Sequence, residues 1–243
     1  MKKWIVAAAL ASLALTAQAA EKIRFAASAT YPPFESLDRE NNLVGFDIDL
    51  AKALCQQMKA ECTFTNNAFD SLIPSLKFRR YDAVISGMDI TTERSKQVDF
   101  TQPYYANSAI VIARKGQFSS FAELKGKRIG VENGTTHQKY LQDKHPEVKV
   151  VAYDSYQNAI LDMKSGRLDG VFGDSAVVNQ WLKTNADLAT VGEHVTDADY
   201  FGTGLGIAVR KGNTALRDQF NQALNELKAN GSWQQLNQKW FPE

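Results

Sequence analysis

The stretch FTNNAFDSLIPSLKFRRYDAV, residues 64–84, returns 87 residues later and without a gap as VAYDSYQNAILDMKSGRLDGV, residues 151–171. Ile73, Lys77, Arg80, Asp82 and Val84 fall on Ile160, Lys164, Arg167, Asp169 and Val171. Five identities alone are weak. The shared pattern is stronger: a short strand, a turn with an aromatic (Phe69 or Tyr156), an amphipathic helix, then a charged turn into an apolar strand. An opening strand that ends in a polar turn precedes each copy, at 22–27 and 127–131. Two α/β lobes follow from the duplication.

Working outward, GFDIDLAKALCQQM (45–58) sets Phe46, Leu50, Leu54 and Met58 on one stripe, which predicts a helix packed on the first sheet. In the second lobe a helix over 175–182 follows the strand 168–172. Extended passages at 104–113 and 200–210 connect the lobes, so the chain crosses twice and forms a hinge. The helical patterns at 214–228 and 233–240 then complete the first lobe. The expected division is 20–107 with 205–243 for lobe one and 108–204 for lobe two. Gly202, Gly204 and Gly206 spell GxGxG, but inside an expected strand. With no following helix and no distal acid, the dinucleotide-loop reading fails.

The amino end, MKKWIVAAALASLALTAQAA, has two lysines, a short apolar core and a small-x-small ending at Ala17-Gln18-Ala19. It predicts a cleavable secretory signal over 1–19 and a soluble, exported product. The apolar core is shorter than the roughly 20 residues that span a bilayer. The whole chain carries 28 basic and 27 acidic side chains, and loss of Lys2 and Lys3 leaves a formal charge of −1. That balance points away from nucleic acid and anionic membranes as partners. In an oxidising compartment Cys55 and Cys62 are expected to form a disulfide. The three histidines, His137, His145 and His194, are dispersed, and neither metal nor cofactor is expected.

Ligands of open α/β sheets bind beyond the carboxyl ends of the strands. In lobe one that edge carries 28–31, Phe69 and SGMDITTER (86–94); in lobe two it carries NGTTHQ (133–138) and Gly173-Asp174. These are the groups a free amino acid requires. Asp89 and Asp174 offer acceptors for an ammonium, and Arg94 offers a planar fork for a carboxylate. Backbone N–H groups around Gly87, Asp89 and Thr136 add donors. Tyr31 and Phe69 offer flat faces, which for a guanidinium add about 1 to 2 kcal/mol per desolvated face. Each residue also has a purely architectural reading: Phe69 as core, Tyr31 as a loop plug, Asp174 or Thr136 as a helix cap, and the Asp89 and Arg94 charges as a surface salt bridge.

TYPPFES (30–36), VGFDIDLAKALC (44–55), FDSLIPSLKFRRYDAVISGMDITTER (69–94), NGTTHQKY (133–140), RLDGVFGD (167–174) and DYFGTGLGIAV (199–209) together resemble the periplasmic solute-binding proteins, family 3, of ABC uptake systems for polar amino acids. Within that family the likeness is to arginine-binding members, and it covers nearly all of the chain after the leader. The resemblance implies an α/β, two-lobed, type II "Venus flytrap" fold in a monomer that closes on a free amino acid and delivers it to a membrane permease. It matches Tyr31 and Phe69 to an aromatic sandwich and Arg94 to the carboxylate clamp. Gly87 and Thr136 match its backbone and hydroxyl support, and Asp174 matches the ammonium acceptor. The Cys55 to Cys62 spacing also resembles the family pattern.

Two positions depart. Asp89 stands where relatives of broader basic amino-acid specificity often have serine, and Ser28 where lysine- and histidine-accepting relatives often have aspartate. The guanidinium of an arginine ligand then needs another acid. Glu35 is the nearest unassigned carboxylate, with a rim charge as its alternative, and Ser28, Ser86 and His137 add polar contacts. Two other classes compete: a cyclohexadienyl-type dehydratase on the same fold and a free amino-acid sensor module. The expectation is a binding protein, not an enzyme, since the cleft acids are taken by an ammonium and no GxSxG occurs.

Overall fold

A computed structural model describes residues 20–242; the leader expected over 1–19 lies outside the described residues. Two five-stranded sheets share one plan. The first runs Glu61–Asn66, Lys22–Ala27, Ala83–Val84, Ala208–Arg210, Val98–Phe100. The second runs Lys149–Tyr153, Arg128–Glu132, Gly170–Asp174, Ala109–Arg114, Leu188–Val195. In each, the first three strands are parallel and the fourth is antiparallel to its neighbours. That fourth strand enters directly from a crossing between the sheets.

The duplicated units carry the expected helices, Phe69–Lys77 and Tyr156–Lys164. Phe46–Gln57 buries Phe46, Leu50 and Leu54 as its stripe requires, with Ile48, Ala51 and Cys55 widening the buried face. Cys55, in that helix, is bonded to Cys62 in the adjacent strand. Closing so short a loop stabilises by about 2.5 kcal/mol in the chain-entropy model, enough to fasten a helix end to a sheet edge. Thr214–Ala229 and Ser232–Trp240 complete the carboxy-terminal helices.

The return crossing is less extended than its sequence predicts. Asp197 caps a short helix, Ala198–Phe201, by accepting from the N–H of Asp199, and only then does the chain straighten. Gly202 makes the change of direction possible. Its φ is 57°, and a Cβ there would sit 1.6 Å from the carbonyl oxygen of Ile90, so no side chain fits. Leu205 bridges to both Asp89 and Tyr105, and Gly206 donates to the carbonyl of Met88. The two crossings are therefore laced to each other and to the 88–90 loop.

A small antiparallel sheet, Thr30–Tyr31, Glu35–Leu37 and Leu43–Val44, folds over the edge of the first sheet and pairs Tyr31 with Glu35. The largest apolar cluster joins the two lobes, running from Phe25, Phe46 and Tyr31 to Tyr156 and Val171. The cleft is closed in this arrangement. Among the described residues no helix is long and apolar enough to cross a membrane.

Candidate functional site

The carboxyl ends of the parallel strands face each other around a small cavity. Of the residues singled out from sequence, Ser28, Tyr31, Glu35, Phe69, Gly87, Asp89, Arg94, Thr136, His137 and Asp174 line it. Ser86 does not. It is fully buried one layer behind, where its hydroxyl donates to Glu35 Oε1 at 2.8 Å and accepts from the N–H of Ser28 at 2.9 Å.

The charges in SGMDITTER do not form a surface salt bridge. Thr91 Oγ1 accepts from the N–H of Arg94 and so starts the short helix Thr92–Ser95. Arg94 is 9% exposed, and its guanidinium turns back to donate to the carbonyl of Asp89 at 3.0 Å. A second N–H reaches across the cleft to the carbonyl of Gly134 at 3.2 Å. The guanidinium lies 5.4 Å from the centre of the Phe69 ring. Burial lowers the Arg94 pKa, while Asp89 and Asp174 oppose that shift.

Asp89 and Asp174 come together from opposite lobes. Asn107, in the first crossing, donates from one Nδ2 to Oδ1 of both, each at 2.7 Å. Thr136 Oγ1 donates to the other Asp89 oxygen at 2.7 Å. Burial and then the nearby Asp174 push the Asp89 carboxyl upward, so two carboxylates side by side here call for a cation. Asp174 does occupy the N-cap position of helix Ser175–Thr184, but its side chain makes no cap bond there. His137 Nε2 stands 3.0 Å from Asp174 Oδ1 without hydrogen-bond alignment. The cap of helix Thr136–Lys144 is Thr135, leaving the Thr136 hydroxyl free for Asp89.

Gly87 corrects an expectation. Its N–H does not face the cavity but donates to Asp47 Oδ2 at 2.7 Å, so it is spent inside the protein. Tyr31 stacks on Tyr156, ring centres 5.0 Å apart, and its Oη accepts from the N–H of Asp174 at 3.0 Å. Four residues of the site escaped sequence reasoning: Glu132, Thr135 and Tyr156 in the wall, and Asn107 between the aspartates. Tyr156 was within reach, because the duplication places it in register with Phe69. Glu132 ends the strand Arg128–Glu132, is 3% exposed, and accepts from Thr30 Oγ1 across the cleft at 3.0 Å. Burial pushes its carboxyl up to about 8.

The lining thus holds four carboxyl groups, Glu35, Asp89, Glu132 and Asp174, against Arg94 as its one arginine or lysine. Its chemistry is that of a receptor for a cation bearing one carboxylate.

Comparison with known proteins agrees with this geometry. The model of the bacterial extracellular solute-binding proteins, family 3, matches residues 23–243. The chain is 69% identical, over the full length of both, to the ABC transporter arginine-binding protein 1 of Escherichia coli K12. It is 38% identical to the histidine-binding periplasmic protein of Salmonella typhimurium, over 91% of this chain and 88% of that one. A solved periplasmic binding protein of Salmonella typhimurium, described for its high arginine specificity, superposes with a TM-score of 0.88 at 56% identity, covering 91% of this chain and all of that one. A two-lobed α/β architecture, a cavity at the strand ends of both lobes and a match along the described chain converge on one conclusion: the chain belongs to the bacterial extracellular solute-binding proteins, family 3.

Proposed function

We propose that this protein captures free L-arginine by closure of its two lobes, residues 20–107 with 205–243 against 108–204, and delivers it to a membrane ABC permease. The observation that carries the reading is the excess of buried carboxyl groups in a cavity drawn from both lobes. The ligand ammonium sits between Asp89 and Asp174, its carboxylate takes the free side of Arg94, and Tyr31 and Phe69 flank its aliphatic stem. The side-chain cation lies at the end formed by Glu35 and Glu132, with Ser28 beside Glu132. Ser28 leaves room there, and the acid comes instead from Glu132 in the other lobe, so recognition of the guanidinium requires closure. The 69% identity to an arginine-binding transport protein supports the same ligand.

In this reading the protein is a monomeric periplasmic carrier and not an enzyme, exported by a signal removed after Ala19. Calorimetric titration of refolded, ligand-free protein with arginine, ornithine, lysine and histidine tests it. Tightest binding is expected for arginine, and absence of heat with all four would end the proposal.

The binding should strengthen as pH rises. The empty closed cavity raises Glu132 from 4.5 to about 8, so between those values the empty form holds a proton that a bound cation expels. Affinity for arginine therefore increases from pH 5 to pH 8, with proton release seen as a buffer-dependent enthalpy. The same raised carboxyl makes the empty closed form less stable as pH rises through that window.

A further inference from the structure

One acid of the cavity wall, Glu35, and one behind it, Asp47, have an arrangement that the proposed binding mode leaves unexplained. Glu35 is 1% and Asp47 0% exposed, and each keeps one oxygen, Glu35 Oε2 and Asp47 Oδ1, without a partner. The backbone sets the two acids side by side: the N–H of Asp47 donates to the carbonyl of Phe34, the residue before Glu35, at 2.9 Å, and the adjacent residues Ser86 and Gly87 bond one acid each. Two ionised carboxylates so placed, with no cation beside them, are untenable in a protein interior. Both orphaned oxygens are satisfied at once if a proton lies between them.

We infer that Glu35 and Asp47 share a single proton resident on Glu35, so that Glu35 meets the ligand as a neutral group and Glu132 alone carries the charge opposite the side-chain cation. Geometry decides which acid keeps the proton. Asp47 accepts two strong hydrogen bonds, from the N–H of Gly87 at 2.7 Å and the hydroxyl of Tyr104 at 2.8 Å. It also sits in the first turn of the 12-residue helix Phe46–Gln57, whose positive end favours a carboxylate. Glu35 accepts one bond, from Ser86.

The groups facing the pair add no cation. Glu132 approaches Glu35 as a further acid, and burial together with both carboxyls holds the Tyr104 hydroxyl well above its ordinary range, so it remains a donor. Burial likewise raises both members of the pair, Glu35 further through Asp47. With Glu35 donating through Oε2, its Oε1 remains an acceptor for Ser86 and for one guanidinium N–H. The pair then acts as a positioning device. Glu35 fixes Asp47, Asp47 fixes the Gly87 turn, and the turn sets the loop that carries Asp89.

The inference rests on the arginine reading for its ligand but not for its proton. Titration of wild type, Glu35→Gln and Glu132→Gln with arginine compares the two acids. Glutamine reproduces a neutral donor-acceptor at Glu35, so Glu35→Gln is expected to lose at least about tenfold less affinity than Glu132→Gln. Glu132→Gln should lose about 100-fold or more. A loss in Glu35→Gln as large as in Glu132→Gln, or retention of affinity by Glu132→Gln, overturns the assignment. The side-chain carboxyl carbon shift of Glu35 in wild-type protein, read by NMR at pH 7 with and without arginine, gives a second readout that needs no variant. The value of a protonated acid is expected in both states, and that of a carboxylate overturns the shared proton. Were wild type to ignore arginine, the NMR result would still stand on its own, separating failure of the ligand from failure of the pair.

Discussion

Arg94→Ala is expected to weaken arginine binding by about 3 to 5 kcal/mol, a loss of two to three orders of magnitude or more in affinity. Arg94 is the one arginine or lysine in the cavity wall, among four carboxyl groups. Its bonds to the carbonyls of Asp89 and Gly134 hold the guanidinium in place, and the Phe69 ring backs it. Alanine removes that fork and leaves the ligand carboxylate buried among acids. Lysine in its place restores charge without the bidentate geometry and should recover only part of the loss. Calorimetry measures the change. Unaltered affinity in Arg94→Ala would remove this residue from the site and, with it, the orientation given to the ligand.

The second large effect is expected at Asp174. Asp174→Asn keeps the shape of the side chain but gives up one of the two acceptors proposed for the ligand ammonium, at a cost of about 3 kcal/mol, or at least 100-fold in affinity. The ligand-free protein should respond in the opposite sense. Asp89 and Asp174 share one Asn107 donor and crowd each other, so neutralising Asp174 relieves repulsion in the closed, empty cleft. Its thermal midpoint without arginine should therefore equal or exceed that of wild type, while the rise caused by arginine shrinks. A fall in both would show Asp174 to be chiefly a structural support.

These two effects depend on an arrangement that is partly legible in the sequence. Asp89, Arg94, Thr136 and Asp174 stand out because they fall at strand ends of a duplicated unit, where loops lead into helices. Their alternatives were decided by neighbours. Asp174 sits at a cap position but bonds elsewhere because Asn107 lies between it and Asp89. Thr136 is spared the cap because Thr135 provides it. Gly87 reads in sequence as a donor to the ligand, whereas its N–H is taken by Asp47, a residue that reads as an ordinary acidic start to a helix.

Local order was written in the chain itself: the 87-residue repeat, the stripe of Phe46, Leu50 and Leu54, and the strand-to-helix turns follow from short-range periodicity, and periodicity survives in a one-dimensional record. Which side chains meet was decided only by folding. Thr136 reaches Asp89 over 47 residues, Thr30 reaches Glu132 over 102, and Tyr31 meets the N–H of Asp174 over 143. Two lobes on a double crossing bring these partners together. The resulting burial changes the charge state an acid prefers, and no residue's identity or spacing carries that information.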